Sequence, residues 1–246
     1  MESMKERVAL ITGATSGIGR ETAILFASHG VKVAAAGRNK QAGASLVEEI
    51  RAGGGDAIFI SADIVHAKDV SAMVAKAVNH FGKLDIAVNN AGIEGVLSPL
   101  AEMREEDWDA VMNTNLKGLW LCMKEEISAM RRNGGAIVNI STNLTRFSEP
   151  GTGAYTASKA GVETISRIAA VECGKYGIRI NAISPGAVDT PLLRRVYPQE
   201  ILDQLIKNNP LGKIAQPRDI AQAIFWLSSP SSGHVNGTSF ALDGGG

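Results

Sequence analysis

Short apolar runs alternate with longer amphipathic ones along almost the whole chain. Residues 8–11, 31–36, 57–60, 84–88, 136–140 and 179–183 are brief, rich in aliphatic side chains and bounded by glycine or polar residues, the pattern of strands buried on both faces. Between them, residues 18–28, 40–52, 67–81, 105–131 and 154–175 read as helices. The third shows the period plainly, with Val70, Met73, Val74, Ala77, Val78 and Phe81 recurring at three- and four-residue steps. Glycines at 30, 53–55, 82, 134–135 and 177 follow the helical stretches, where C-caps belong. A last helix near 217–227 precedes a last strand at 239–242. This strand–helix alternation predicts an α/β fold, a single doubly wound domain over 1–246. Its mostly parallel sheet should have about seven strands, with helices on both faces. Residues 191–217 break the rhythm, with prolines at 191, 198, 210 and 217 and an apolar helical piece at 201–206. Such an excursion reads as a substrate lid, or else as a packed surface connection.

Composition narrows the picture by exclusion. The 25 basic residues balance 25 acidic ones, so there is neither a general basic field for nucleic acid nor an acidic tail. The four histidines, at 29, 66, 80 and 234, lack metal-ligand spacing. Cys122 and Cys173 form no CxxC and fall in helical stretches, which suits buried free thiols in a reducing compartment. The first residues enter a strand pattern at once, and no apolar run reaches transmembrane length. The expectation is a soluble cytoplasmic protein with no nucleic-acid or membrane partner and no metal.

Two strings carry the chemistry. TGATSGIG at 12–19 follows the first strand and opens the first helix. In that context Gly13 permits a tight turn, and Gly17 and Gly19 let the backbone approach a pyrophosphate met by amides at a positive helix end. Tyr155 and Lys159, four apart on a predicted helix, share one face. A free tyrosine titrates near ~10, and a neighbouring ammonium is expected to pull Tyr155 toward the range useful for proton transfer. Alone, such a pair is more often a half-buried aromatic and its solvated neighbour.

The GxxxGxG spacing is where the chain resembles the short-chain dehydrogenase/reductase family. Further motifs follow in order over nearly the whole length: Asn89-Asn90-Ala91-Gly92 after the fourth strand, Asn115 in the next helix, the tyrosine–lysine pair, Ser184-Pro185-Gly186 and Asp243-Gly244-Gly245. The resemblance implies a nicotinamide dinucleotide held by Gly13, Thr15, Ser16, Gly17, Ile18 and Gly19. Asp63 and Ile64 would border the adenine, and Asn90, Ala91 and Gly92 the adenosine and its ribose. Pro185, Gly186, Val188 and Thr190 would line the nicotinamide and its phosphate. It implies Tyr155 as acid/base, Lys159 on the nicotinamide ribose and Asn115 holding a water that links Lys159 to solvent. The family usually has a serine 13 residues before the tyrosine; here that position is Thr142, with Ser141 before it. Threonine keeps the hydroxyl while its methyl stiffens χ1 and narrows the pocket.

Cofactor choice turns on the end of the second strand. NAD enzymes place an acidic residue there for the ribose 2′-hydroxyl. This chain has Gly37-Arg38-Asn39 instead. Gly37 removes a side chain that would repel a 2′-phosphate and Arg38 offers donors for one, which favours NADP(H). NAD(H) stays open, because the glycine loop carries no second basic residue and Arg38 could stack on adenine. The expected substrate is a small carbonyl compound or secondary alcohol, contacted by Glu94, Thr142, Leu144 and Tyr155. Ile93, Ser148, Gly151 and residues 191–209 should lie nearby. Arg131 with Arg132, and Arg194 with Arg195, are candidate basic patches for an acidic carrier protein, or simply solvated faces. By resemblance, a homotetramer is expected, packed through the helices at 105–131 and 154–175, where Trp108, Leu119, Trp120 and Met123 stand out, and through 240–246. The alternative is a cofactor-binding sensor or scaffold whose altered site, at Thr142, has lost turnover.

Overall fold

Each predicted strand forms, and the computed structural model describes residues 4–147 and 149–245. The strands are β1 (Val8–Thr12), β2 (Lys32–Gly37), β3 (Ala57–Ser61), β4 (Ile86–Asn89), β5 (Gly135–Ile140), β6 (Ile178–Pro185) and β7 (Ser239–Leu242). They form one parallel sheet in the order β3-β2-β1-β4-β5-β6-β7. Such a sheet must be covered on both faces, and successive β1 residues show how. Val8 and Leu10 enter a core under the helices α3 (Ala67–Phe81), α5 (Leu119–Met130) and α6 (Gly153–Cys173). Ala9 and Ile11 enter the opposite core under α1 (Gly17–Ser28), α2 (Lys40–Ala52) and α9 (Pro217–Ser228).

Local chemistry sets the boundaries. The α3 helix stops at Gly82, whose φ of 84° is left-handed. The α9 helix starts at a capping box between Gln216 and Asp219. The order reverses between β1 and β4, so a crevice opens beyond the carboxyl ends of these two strands, the usual ligand position in open α/β sheets.

Two departures from the sequence reading matter for the site. The helix expected over 105–131 is not continuous: between α4 (Glu105–Met112) and α5 lies a π-helical turn, Asn113–Gly118. Gly118 in that turn packs against Ile64, where an added Cβ would meet Ile64 Cγ1 at 3.0 Å. The excursion at 191–217 is largely helical, as α7 (Pro191–Val196) and α8 (Gln199–Asn208). Pro191 supplies the first turn of α7 and Thr190 Oγ1 accepts from Leu193 N–H at 3.2 Å.

Candidate active site

A cleft of about 970 Å³ lies over the carboxyl ends of the strands, and most of the predicted positions line it. At one end are Gly13, Thr15, Ser16, Gly17, Ile18, Arg38, Asp63 and Ile64; along the floor are Asn90, Ala91 and Gly92. Toward the other end come Glu94, Thr142, Leu144, Tyr155 and Lys159, then Pro185, Gly186, Val188 and Thr190. Gly19 and Asn115 stand behind this lining. An added Cβ on Gly19 would sit 2.4 Å from Gly13 O and 2.5 Å from Asn90 Nδ2, so its bare backbone serves protein–protein approach and not contact with a ligand.

The first end is shaped for an anionic, extended ligand. Gly13 and Gly17 have φ of +64° and +52°, a left-handed backbone that glycine adopts without steric penalty. A Cβ on Gly17 would fill the gap to Thr190 Cγ2, 3.2 Å away. Ser16 makes no side-chain cap bond at the start of α1, whose first turn holds no acidic residue. The positive helix end therefore faces the cleft ready for phosphate. Thr12, absent from the predicted set, bolts this turn to β4: its Oγ1 accepts from Asn90 N–H at 3.1 Å and Ala91 N–H at 3.2 Å. Asn90 Nδ2 donates back to Thr12 O at 3.1 Å and Gly13 O at 3.2 Å. The fit to a dinucleotide is good, in backbone conformation and in charge. At its far edge a Cβ on Gly37 would point at Thr15 Cγ2, 3.2 Å away, and Arg38 Nη1 lies 3.7 Å from Asp63 Oδ2.

The catalytic helix departs from expectation in one respect. Lys159 is buried, yet its Nζ donates to Ile140 O at 2.7 Å and stands 5.9 Å from the centre of the Tyr155 ring. Burial lowers its pKa to about 8. The expected downward pull on Tyr155 is absent. Burial holds the phenol above its ordinary pKa and the Glu94 carboxylate adds to this, with the hydrogen bond to Thr142 opposing both. Thr142 is thus the hydroxyl that acts on Tyr155. Ser141 is committed elsewhere, with Oγ 2.8 Å from Glu163 Oε1 and 3.2 Å from Lys159 O. Glu163, one helical turn beyond Lys159, also accepts from Thr145 Oγ1 at 3.0 Å and Ser184 Oγ at 2.7 Å. Burial raises its pKa, but the hydrogen bonds from Ser184, Ser141, Thr145 and Ser239 outweigh that and leave it below the ordinary value.

Asn115, in the π turn, is fully buried. Its Nδ2 donates to Ile93 O at 2.7 Å and Ser158 Oγ at 3.2 Å, while its Oδ1 accepts from Ile93 N–H at 2.8 Å. The side chain therefore clamps the segment after Gly92. Beneath this floor Asn89 Nδ2 donates to Glu126 Oε2 at 2.9 Å and Asn139 Oδ1 at 3.0 Å. Glu126 is fully buried, and burial raises its pKa to about 8, with the Asn89 hydrogen bond lowering it in part.

At the second end Ile93 and Leu144 line the cleft as expected, as do Val196, Tyr197 and Leu205 of the 191–209 excursion, joined by Glu149, which sequence reasoning missed. Gly151 lies aside, its carbonyl accepting from Ser98 N–H at 3.1 Å, and Ser148 is outside the described residues. Tyr197 OH donates to Glu149 Oε1 at 3.1 Å. The basic patches are partly spent: Arg194 Nε and Nη2 donate to Asp189 at 2.6 and 2.8 Å, and Arg131 lies over the Tyr176 ring. Among the described residues no group of three potential metal ligands occurs and no helix is long and apolar enough to cross a membrane.

Known proteins share this frame. Residues 13–246 match the family model described as Enoyl-(Acyl carrier protein) reductase. The chain is 37% identical to the short chain dehydrogenase/reductase astE of Aspergillus oryzae, over 99% of this chain and 95% of that protein. It is 39% identical to a 2,5-dichloro-2,5-cyclohexadiene-1,4-diol dehydrogenase of Sphingobium indicum, over 100% and 98% of the two. The crystal structure of a short-chain type dehydrogenase/reductase from Mycobacterium marinum superposes with a TM-score of 0.94 at 30% identity, covering 99% of this chain and 96% of that one.

Proposed function

Because the chain belongs to the short-chain dehydrogenase/reductase family of NAD(P)-dependent oxidoreductases, we propose that it interconverts a ketone and a secondary alcohol on a small organic substrate, with NADP(H) preferred. The observation that carries this reading is the Thr142–Tyr155 hydroxyl pair, beside the buried ammonium of Lys159, in the same cleft as the glycine turn. When bound, the nicotinamide supplies the hydride for reduction or takes it up in oxidation. The turn from Gly13 to Ile18 holds the pyrophosphate, Asp63 and Ile64 border the adenine, and Asn90, Ala91 and Gly92 border its ribose. Pro185, Gly186, Val188 and Thr190 flank the nicotinamide, and Lys159 reaches the ribose hydroxyls next to it. Thr142 donates to the substrate oxygen and orients it. Tyr155, kept protonated at neutral pH by burial, gives its proton to that oxygen during reduction.

Preference for NADP(H) rests on Gly37, which brings no carboxylate to the ribose, and on Arg38, whose side chain is 72% exposed and free to swing from Asp63 to a 2′-phosphate. Initial rates of NADPH and NADH oxidation over a ketone panel, with Tyr155→Phe as background, test the whole reading. A Tyr155-dependent rate that favours NADPH is expected. No rate above background with either cofactor would favour the sensor alternative, and an NADH preference unchanged in Arg38→Ala would remove the role given to Arg38.

A cytoplasmic homotetramer completes the reading. Leu119 and Met123 are core residues, but Trp120 (48%) and Val171 (84%) are exposed on α5 and α6, and Trp226 packs on Phe240 with ring centres 5.8 Å apart. The free thiols of Cys122 and Cys173 are buried. Light scattering should give four copies for the native chain and fewer for Val171→Glu.

A further inference from the structure

The substrate end of the cleft holds two carboxylates and one hydroxyl to serve them. Glu94 is nine-tenths buried, with 9% of its surface exposed, and lines the cleft beside Tyr155. Glu149 stands at the mouth, and the Tyr197 hydroxyl faces both acids: its hydrogen bond offsets part of the upward push that burial gives Glu94, while burial and the two carboxylates raise the Tyr197 pKa. A phenol has a single proton to donate. That proton goes to Glu149, at 3.1 Å. Neither acid forms an ion pair among the described residues, and Arg195, which lines the cleft from the 191–209 excursion, is exposed. Glu94 is thus a buried acceptor that lines a ligand cavity and must share its neighbouring donor, the Tyr197 hydroxyl, with Glu149, and a buried carboxylate so placed costs more than a fully satisfied one. A bound molecule is the natural source of a second donor.

We propose that Glu94 selects substrates bearing a hydrogen-bond donor, a hydroxyl or an ammonium, one or two carbons from the reacting carbon, and turns away those with a carboxylate or phosphate there. The inference rests on the reading of the cleft as a dehydrogenase site. The apolar neighbours Leu144, Val196 and Leu205 then cover the remaining carbon frame. A negative group in the same place would lie next to two carboxylates in a partly dehydrated pocket, where like charges repel strongly.

The test uses the full chain with NADP⁺ or NAD⁺ in the oxidation direction. The panel is cyclohexanol, 1,2- and 1,3-cyclohexanediol, 2-aminocyclohexanol and 2-hydroxycyclohexanecarboxylate. The better diol or the amino alcohol should exceed cyclohexanol in kcat/KM by about tenfold or more, as expected for a hydrogen bond to a charged group, and the hydroxy acid should fall below it. Which of the two donors wins distinguishes hydroxyl from ammonium recognition. In Glu94→Leu the ratio of diol to cyclohexanol should drop toward one, and in Glu94→Gln the ammonium preference should vanish while part of the diol preference persists. A ratio near one in the native protein, a hydroxy acid that is the best substrate, or a ratio untouched in Glu94→Leu would overturn the proposal. Should no alcohol be oxidised, the dehydrogenase reading fails separately. Saturation-transfer NMR of the same ligands on Tyr155→Phe with and without Glu94→Leu still decides: Glu94-dependent binding of the diol upholds the inference, and equal binding of all ligands rejects it.

Discussion

The two ends of the cleft are built by different means. The phosphate end is made of backbone: left-handed turns at Gly13 and Gly17, the bare Cα of Gly19 against Gly13 O, and the Thr12–Asn90 bolt between β1 and β4. The substrate end is made of side chains brought from four distant segments, Glu94 after β4, Thr142, Leu144 and Glu149 after β5, Tyr155 on α6, and Val196, Tyr197 and Leu205 in the 191–209 excursion. A site of the first kind tolerates almost no added atom. A site of the second kind keeps its shape through many substitutions and changes its chemistry with each. Conversion of one end should therefore alter binding and stability, and conversion of the other should alter turnover and selectivity.

The sharpest break comes where the ends meet. Tyr155→Phe removes the proton carrier and little else, so turnover should fall by about a thousandfold, within the usual span for general acid–base groups. The dissociation constant of NADPH, measured by fluorescence titration, should stay near the native value; a comparable loss of cofactor affinity would show the two ends to be one unit. Next in size is Gly19→Ala. Its Cβ would stand 2.4 Å from a backbone oxygen, so the turn must shift, and cofactor affinity should drop by about a hundredfold with a lower Tm, as strain of this kind costs a few kcal/mol. Native affinity in that variant would mean that the turn is far more pliant than its contacts indicate.

A third test addresses the floor that stiffens the phosphate end. Glu126 has a folded-state pKa of about 8 against an ordinary 4.5, so the folded protein holds a proton that the unfolded chain releases. Its contribution is present in full below the unfolded value, and it is lost as pH rises through about 8. The loss is on the order of a few kcal/mol at most. Native Tm should decline from pH 5 to pH 9, and Glu126→Gln should flatten that decline. An equally steep decline in the variant would place the titration in another group.

This difference in construction also explains what the sequence disclosed. The glycine turn was legible because few residues other than glycine adopt its φ values, and every predicted strand appears, within a residue or two at each end. The π turn at 113–118 was not, since the poor helix formers of Asn-Thr-Asn-Leu-Lys-Gly weaken a helix without announcing an extra residue in one turn; in the fold it goes with the packing of Gly118 on Ile64 and the Asn115 clamp on Ile93. Nor was the partner of Lys159, because a backbone carbonyl such as that of Ile140 carries no side-chain signature. Tyr197 and Glu149 lie 48 positions apart, and although 191–209 is expected near the β5 loop, no local spacing announces this particular pair. One signal was there unused. Asn139, polar inside an otherwise aliphatic strand, marks the buried network with Asn89 and Glu126.

The smallest expected effect is also the finest probe of the substrate end. Thr142 lies in extended backbone, φ −156° and ψ 153°, where a β-branched side chain has few rotamers. Its methyl thus holds the hydroxyl toward Tyr155 at little entropic cost. Thr142→Ser keeps the hydrogen bond but frees χ1, and turnover should fall by no more than about threefold, the scale of one partly restricted rotor. Thr142→Ala removes the hydroxyl and should cost well over tenfold, the range for a lost hydrogen bond to a developing charge. Ser141→Ala should leave turnover closer to native and lower Tm, because that hydroxyl serves Glu163 and the Lys159 carbonyl. If Ser141→Ala were instead the variant that loses turnover, the hydroxyl beside Tyr155 would have been assigned to the wrong residue, and the substrate end would owe its chemistry to the scaffold beneath it.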